Sequence, residues 1–311
     1  MIEAVRTLIG RNWLEAAKAH ARTAPATTLG LAAATLMLVL LLMQSLSRIL
    51  SGEIADAFRL AVIGGFAGFA ATAVGALPAL VLRSIPQKIE DSMLGMAAGM
   101  MLAASAFSLI LPGLEAGERI LGSAGGGAAV VVFGMGLGVL LMLGLDQFVP
   151  HEHPQTGPCG AGHERCNRVW LFVLAIALHN LPEGMAIGVS FAQADMDVGL
   201  PLTTAIALQD IPEGLAVALA LRGAGLTNIQ AVLVAAATGL LEPLGALLGV
   251  GLSSGMAIAY PVGLGLAAGA MLFIVSHEVI PETHRNGHQT AATIGLMIGF
   301  AVMMTLDTTL G

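Results

Sequence analysis

Nine apolar stretches follow one another along this 311-residue chain, near 28–47, 59–82, 92–112, 121–146, 169–193, 200–221, 228–252, 257–280 and 290–310. About 20 helical residues cross the hydrocarbon of a bilayer, so each stretch is long enough to span it. Polar links separate them. The pattern predicts an all-α fold, a polytopic bundle of transmembrane helices. Residues 1–27 precede the first stretch and carry Arg6, Arg11, Lys18 and Arg22. A cleaved signal peptide has a shorter basic region and a shorter apolar core. The stretch at 28–47 is therefore expected to remain as a transmembrane helix, ahead of a unit of eight spans at 59–311.

Composition agrees with the pattern. The chain is 56% hydrophobic and 11% charged, where a soluble domain carries about 25% charged residues. Its 40 glycines suit membrane helices, whose backbones approach closely where side chains are small. The pairs Gly64/Gly68, Gly95/Gly99, Gly245/Gly249 and Gly265/Gly269 have the four-residue spacing that stacks them on one helix face. The run Gly134-Met135-Gly136-Leu137-Gly138 lies mid-span with no strand before it, so it is not read as a nucleotide loop.

Lys and Arg set the orientation of membrane helices. With the N-terminus in the cytoplasm, the inner segments hold Arg6, Arg11, Lys18, Arg22, Arg83, Lys88, Arg165, Arg168, Arg222 and Arg285, and the outer ones hold Arg48, Arg59 and Arg119. That bias places the N-terminus inside and the C-terminus outside. The outer side then carries Glu53, Asp56, Glu115, Glu118, Asp195, Asp197 and Asp307. Such an acidic face would concentrate cations.

Against this apolar background stand two short polar strings, His179-Asn180-Leu181-Pro182-Glu183-Gly184 and Gln209-Asp210-Ile211-Pro212-Glu213-Gly214. Ionisable groups at bilayer depth cost about 2.5–3.5 kcal/mol each on insertion scales and mark ion pathways by default. On a helix, His179 and Glu183 project on one face a turn apart, as do Gln209 and Glu213. Asn180 and Asp210 flank those faces. Proline cannot donate to the carbonyl four residues earlier and pushes against it. Pro182 and Pro212 thereby free the carbonyls of Leu178 and Leu208, and a kink is expected at each. Such breaks are tolerated where the helix lines a cavity or is buried in protein.

The next span offers Glu242-Pro243, again a carboxylate beside a proline. Glu183, Asp210, Glu213 and Glu242 together carry four negative charges, which two divalent cations would neutralise. Glu183 and Glu213, each with polar neighbours on its face, are expected to be shared between the two ions. Imidazole, carboxylate and amide oxygen together suit Zn²⁺, and less selectively Fe²⁺, Mn²⁺, Co²⁺ or Cd²⁺. An all-oxygen set would suit Mg²⁺ or Ca²⁺ better.

The two motifs, their order on consecutive helices and the Glu-Pro that follows resemble the ZIP (Zrt/Irt-like) family of divalent metal transporters, and among them a prokaryotic member. The resemblance covers residues 59–311; the helix at 28–47 is extra to it. It implies a 3+2+3 arrangement of eight helices with inverted repeats and a metal site between the fourth and fifth, which the charge count above makes binuclear. Carried over, the metal ligands are His179, Asn180, Glu183, Gln209, Asp210, Glu213 and Glu242. Gln209 stands where eukaryotic members often have His, and its amide is a weaker ligand. In the second core helix, family members commonly carry a His before a Leu-Pro. Here Ser108 lies nearest that place, ahead of Leu111-Pro112, and Met101 could add a thioether.

Further polar residues suggest a route for the metal beyond the centre. The link at 150–168 carries His151, His153, Cys159, His163 and Cys166. By the charge bias it faces the cytoplasm, where thiols stay reduced, so it is read as a metal acceptor or sensor rather than a disulfide. His277, Glu278 and His288, with Asp91 and Asp146, stand near the inner face as candidate release residues, and Asp307 near the outer one. The expected function is transport of divalent metal, zinc foremost, into the cytoplasm across the cell (inner) membrane. The alternative is a membrane-embedded binuclear hydrolase, in which the metals would activate water. The partners expected are the metal ions and the lipid bilayer, with a homodimer left open and no nucleic acid.

Overall fold

Helix ends in this chain are set by local chemistry. The computed structural model describes residues 54–148 and 168–310 continuously, with two short strands between them and scattered positions between 21 and 52. The expected helix at 28–47 and segment 1–27 lie largely outside the described residues. The first core helix, α1 (Ala55–Ala76), tightens into a 3₁₀ turn at Leu77–Leu80, where Pro78 interrupts the α-helical bonding. Helices α2 (Gln87–Ala104) and α3 (Leu111–Leu121) form one long span through a π-helical segment at Ser105–Ile110. Gly122, at φ 69°, closes α3 in the left-handed conformation, and the Ser123 hydroxyl receives the Gly126 amide at the start of α4 (Ala124–Phe148).

After a two-stranded antiparallel ladder, β1 (His151–His153) and β2 (Gly157–Cys159), the chain enters α5 (Arg168–Ser190) and α6 (Met196–Gly223). The Asp195 carboxylate caps α6 by accepting from the Asp197 amide. Thr227 and Gln230 form a reciprocal capping box that starts α7 (Asn228–Thr238). A turn at Gly239 then leads into α8 (Leu241–Ser253), so Glu242 lies in the first turn of a new helix, where the helix dipole favours a negative charge. Helix α9 (Ala259–Ile274) passes through a second π-helical segment, Val275–Val279, into α10 (Ile280–His284). Helix α11 (Gln289–Leu310) completes the bundle.

Seven of these units are long and apolar enough to cross a membrane: 55–80, 87–121, 124–147, 196–223, 228–253, 259–284 and 289–310. The 23-residue α5 stands between the third and fourth of them in the chain. The protein is thus a polytopic helical bundle. The second unit extends well past the expected 92–112, because an amphipathic, charged turn at 113–121 continues the helix where an apolar scan stops.

Packing pairs the helices in a regular way. The most extensive contacts are α2 with α11, α5 with α8, α4 with α9, and α1 with α6. Exchange the first three spans with the last three, and α5 with α6, and these pairs map onto one another. The same exchange relates the contact of α2 with α6 to that of α9 with α5. It also relates the two π-helical segments, each followed by an apolar residue and a proline, Leu111-Pro112 and Ile280-Pro281. A proline leaves the carbonyl four residues back without its donor, and π widening is one way to absorb the clash. The residues four back are Ser108 and His277.

Glycine makes the closest contacts. A Cβ on Gly184 or Gly188 would collide with the backbone of Glu242 or Ala246, and one on Gly245 or Gly249 with that of Leu181 or Met185. Helices α5 and α8 therefore meet backbone to backbone, which carries Glu242 to the motif helices. The main buried core brings Ile187 and Ile206 from the two motif helices together with Met100, Met101 and Leu264.

Candidate metal centre

Both motif helices run on through their prolines: Pro182 lies inside α5 and Pro212 inside α6. The i, i+4 spacing of each motif points its polar groups at the other helix. Ligand oxygens of Glu183, Asp210 and Glu213 lie within 4.8 Å of one another, and all three residues are buried. The Gln209 amide donates to Glu183 Oε1 at 2.6 Å. Asn180 is buried on the same helix as Glu183, and His179, one turn before Glu183, is half-buried.

Glu242 joins this cluster from α8. It is fully buried, and its carboxyl group lies in side-chain contact with that of Asp210. Helix α1 forms the wall behind it. Glu242 Oε2 occupies the space that a side chain on Gly68 would need, and Asp210 Oδ2 lies 3.3 Å from the same point. Thr72, one turn on, donates its hydroxyl to Glu242 Oε1 at 2.9 Å. Gly68 was read in the sequence only as a packing residue paired with Gly64, and Thr72 was not singled out. The signal was faint: one threonine in a run of glycine and alanine, four residues from a glycine.

With the carboxyl groups ionised, five buried oxygens of this cluster receive no hydrogen bond: Glu183 Oε2, Gln209 Oε1, Asp210 Oδ2, Glu213 Oε1 and Glu242 Oε2. Leaving a buried acceptor unsatisfied costs about 1–3 kcal/mol, and more for a charged group. Five such oxygens, four of them on carboxyl groups, form an electron-rich pocket without a buried Lys or Arg among the described residues. The chemistry this arrangement fits is cation binding.

Other candidate residues fall at the two ends of the bundle. Ser108 donates to Asp307 Oδ1 at 2.6 Å, tying α11 to the π segment before Pro112. At the opposite end, Asp146, His277 and Glu278 offer ligand atoms within 4.8 Å of one another. There His277 stacks against Phe273 with ring centres 4.9 Å apart. Asp91 is buried and held by three side chains. Its Oδ1 accepts from Gln87 and Asn286 at 3.2 and 3.1 Å, and its Oδ2 pairs with His288 Nδ1 at 2.8 Å. Met101 lies in the main core, and its carbonyl receives the Ser105 hydroxyl.

The link at 150–168 was read as a loop, and the structure builds a short ladder in it. The register sets His151 opposite Cys159 and His153 opposite Gly157. Pro158 is tolerated because both strands of a two-stranded ladder are edges. His163 and Cys166 lie outside the described residues.

The family model described as ZIP Zinc transporter matches residues 150–307. The chain is 67% identical over 293 residues to "Zinc transporter ZIPB" of Bordetella bronchiseptica, covering 94% of this chain and 95% of that one. It is 44% identical over 242 residues to "Zinc transporter GufA" of Myxococcus xanthus, covering 78% and 95%. It is 32% identical over 339 aligned residues to human "Zinc transporter ZIP11", covering 81% and 97%.

Proposed function

The chain belongs to the ZIP zinc transporter family, and from that premise we propose that it carries divalent metal cations, zinc foremost, across a cell membrane into the cytoplasm. The observation that carries the reading is the set of five unpartnered buried oxygens contributed by α5, α6 and α8. A cation between these helices would satisfy acceptors that the protein itself leaves unsatisfied. Two ions match the four carboxylates in charge, with Glu183, Asp210, Glu213 and Glu242 as the anionic ligands and His179, Asn180 and Gln209 as the neutral ones.

Direction follows from the charge bias of the links, which puts the N-terminus in the cytoplasm and the C-terminus outside. Metal then meets Ser108 and Asp307 near the outer face, binds at the central cluster, and leaves past Asp146, His277 and Glu278. The ladder bearing His151, His153 and Cys159 follows Asp146 closely in the chain, and β1 packs against α5. Its nitrogen and sulfur donors suit a thiophilic ion better than Mg²⁺ or Ca²⁺. The names of the relatives, all zinc transporters, favour transport over hydrolysis.

The test is reconstitution into sealed liposomes with a panel of metals outside and a fluorescent indicator inside. Uptake of Zn²⁺ by the wild-type chain, abolished by Glu183→Ala, is the expected result. No metal-dependent signal from correctly inserted, folded protein would refute the reading.

A further inference from the structure

We propose that Thr72 is a positioning residue that sets metal preference at the central site by fixing which oxygen of Glu242 faces the metal. The inference rests on the transport site described above and extends it to helix α1, which contributes no candidate ligand. Thr72 is buried on α1. Its hydroxyl has two acceptors within reach, the Gly68 carbonyl at 3.3 Å and Glu242 Oε1 at 2.9 Å. A hydroxyl carries one proton to donate, and the nearer acceptor is the carboxylate.

That bond divides the two oxygens of Glu242. Oε1 is held by Thr72, while Oε2 has no hydrogen-bond partner and lies on the side of Gly68 and Asp210 Oδ2. Gly68 is required for this placement, because any side chain there would occupy the position of Oε2. Thr72 is itself fixed by backbone packing. Its carbonyl lies where a Cβ on Gly214 of the second motif would fall, and its Cβ lies 3.0 Å from where one on Gly239 would fall. The hydroxyl is thus anchored at the meeting of α1, α6 and the turn before α8.

Glu242 therefore offers a cation one oxygen, with its second oxygen engaged elsewhere. Single-oxygen carboxylate donation suits Zn²⁺, which prefers about four ligands at short distance. A larger ion that takes more oxygens gains when a carboxylate can turn and bind through both. Removing the hydroxyl frees Glu242 to do so. The site should then lose affinity for Zn²⁺ and keep or gain affinity for Cd²⁺.

The experiment uses the full chain, purified, with equilibrium binding of Zn²⁺ and Cd²⁺ measured separately and uptake of both measured in liposomes. In Thr72→Val, which keeps the shape and removes the hydroxyl, the Zn²⁺-to-Cd²⁺ preference should fall by about ten-fold, since a hydrogen bond to a charged group is lost. Thr72→Ser should retain the wild-type preference. In a Glu242→Gln background, Thr72→Val should produce no further change in preference. A wild-type ratio in folded Thr72→Val, or a Thr72→Ser that behaves like Thr72→Val, would overturn the proposal. Failure of the wild-type chain to take up Zn²⁺ would instead overturn the transport reading, and the binding measurement keeps the two failures apart.

Discussion

Replacing Glu213 by Gln tests the electrostatics of the centre most directly. The change preserves shape and removes one negative charge from a buried cluster whose ligand oxygens lie within 4.8 Å of one another. Unit charges about 4 Å apart interact by roughly 4 kcal/mol at an effective dielectric near 20. A divalent ion doubles the attraction, and competition from protons and local relaxation reduces it. Removing one partner from a buried charge pair costs about 3–5 kcal/mol, so metal affinity should fall a few hundred-fold or more, at about 1.4 kcal/mol per decade. The metal-free protein should respond in the opposite sense. Glu213 Oε1 accepts no hydrogen bond, and a carboxylate oxygen of Glu213 lies within 4.8 Å of one from Glu183 and one from Asp210, so losing its charge relieves repulsion. Thermal unfolding in detergent, with and without Zn²⁺, reads both effects. The wild type should gain about 2.7 kcal/mol at a hundred times its dissociation constant. Glu213→Gln should start higher without metal and gain almost nothing at the same concentration. A metal-free variant less stable than wild type would show that Glu213 is a structural acceptor and refute the reasoning.

Three further outcomes are expected. Gly184→Ala should destabilise the protein by about 1–3 kcal/mol and weaken metal binding, because its Cβ meets the backbone of Glu242; thermal unfolding and metal titration read the two effects. Cys159→Ser with Cys166→Ser should change the rate or regulation of uptake in liposomes, whereas Glu183→Ala abolishes it; equal loss from both would make the link an obligatory part of the route. Deleting residues 1–47 should leave metal binding intact, since every proposed ligand of the central site lies beyond residue 100. In that variant, cysteines introduced near residues 56 and 87 should label from outside and inside respectively, and labelling of residue 87 from outside would reverse the assigned orientation.

Much of this protein is legible in one dimension because its signals are local. Span lengths follow from uninterrupted apolar runs, and the common face of His179 with Glu183, or of Gln209 with Glu213, follows from the helical period alone. That Glu183, Asp210 and Glu213 crowd into one pocket needs the packing of two helices, which the repetition of the motif suggested and which the tertiary structure realises. The prolines were equally readable as points where a carbonyl loses its donor. Which of them sit beside π widening was not: Pro182 and Pro212 lie inside α-helices, whereas Ser108 and His277 lie in π-helical segments four residues before Pro112 and Pro281.

What only the tertiary structure decided are the contacts between groups far apart in sequence. Ser108 meets Asp307 across 199 residues. Asp91, read as a residue of the metal route, is held by Gln87, Asn286 and His288. Thr72 reaches Glu242 across 170 residues. No periodicity announces such pairs, because they depend on how closely the backbones approach. That approach is set by glycines meeting carbonyls on neighbouring helices, and a glycine in a membrane span reads the same whether it faces lipid, a helix or a carboxylate. The sequence by itself determined that groups able to bind a cation lie within the apolar spans. Where α1 and α8 come to rest against the motif helices decided which oxygens those groups present.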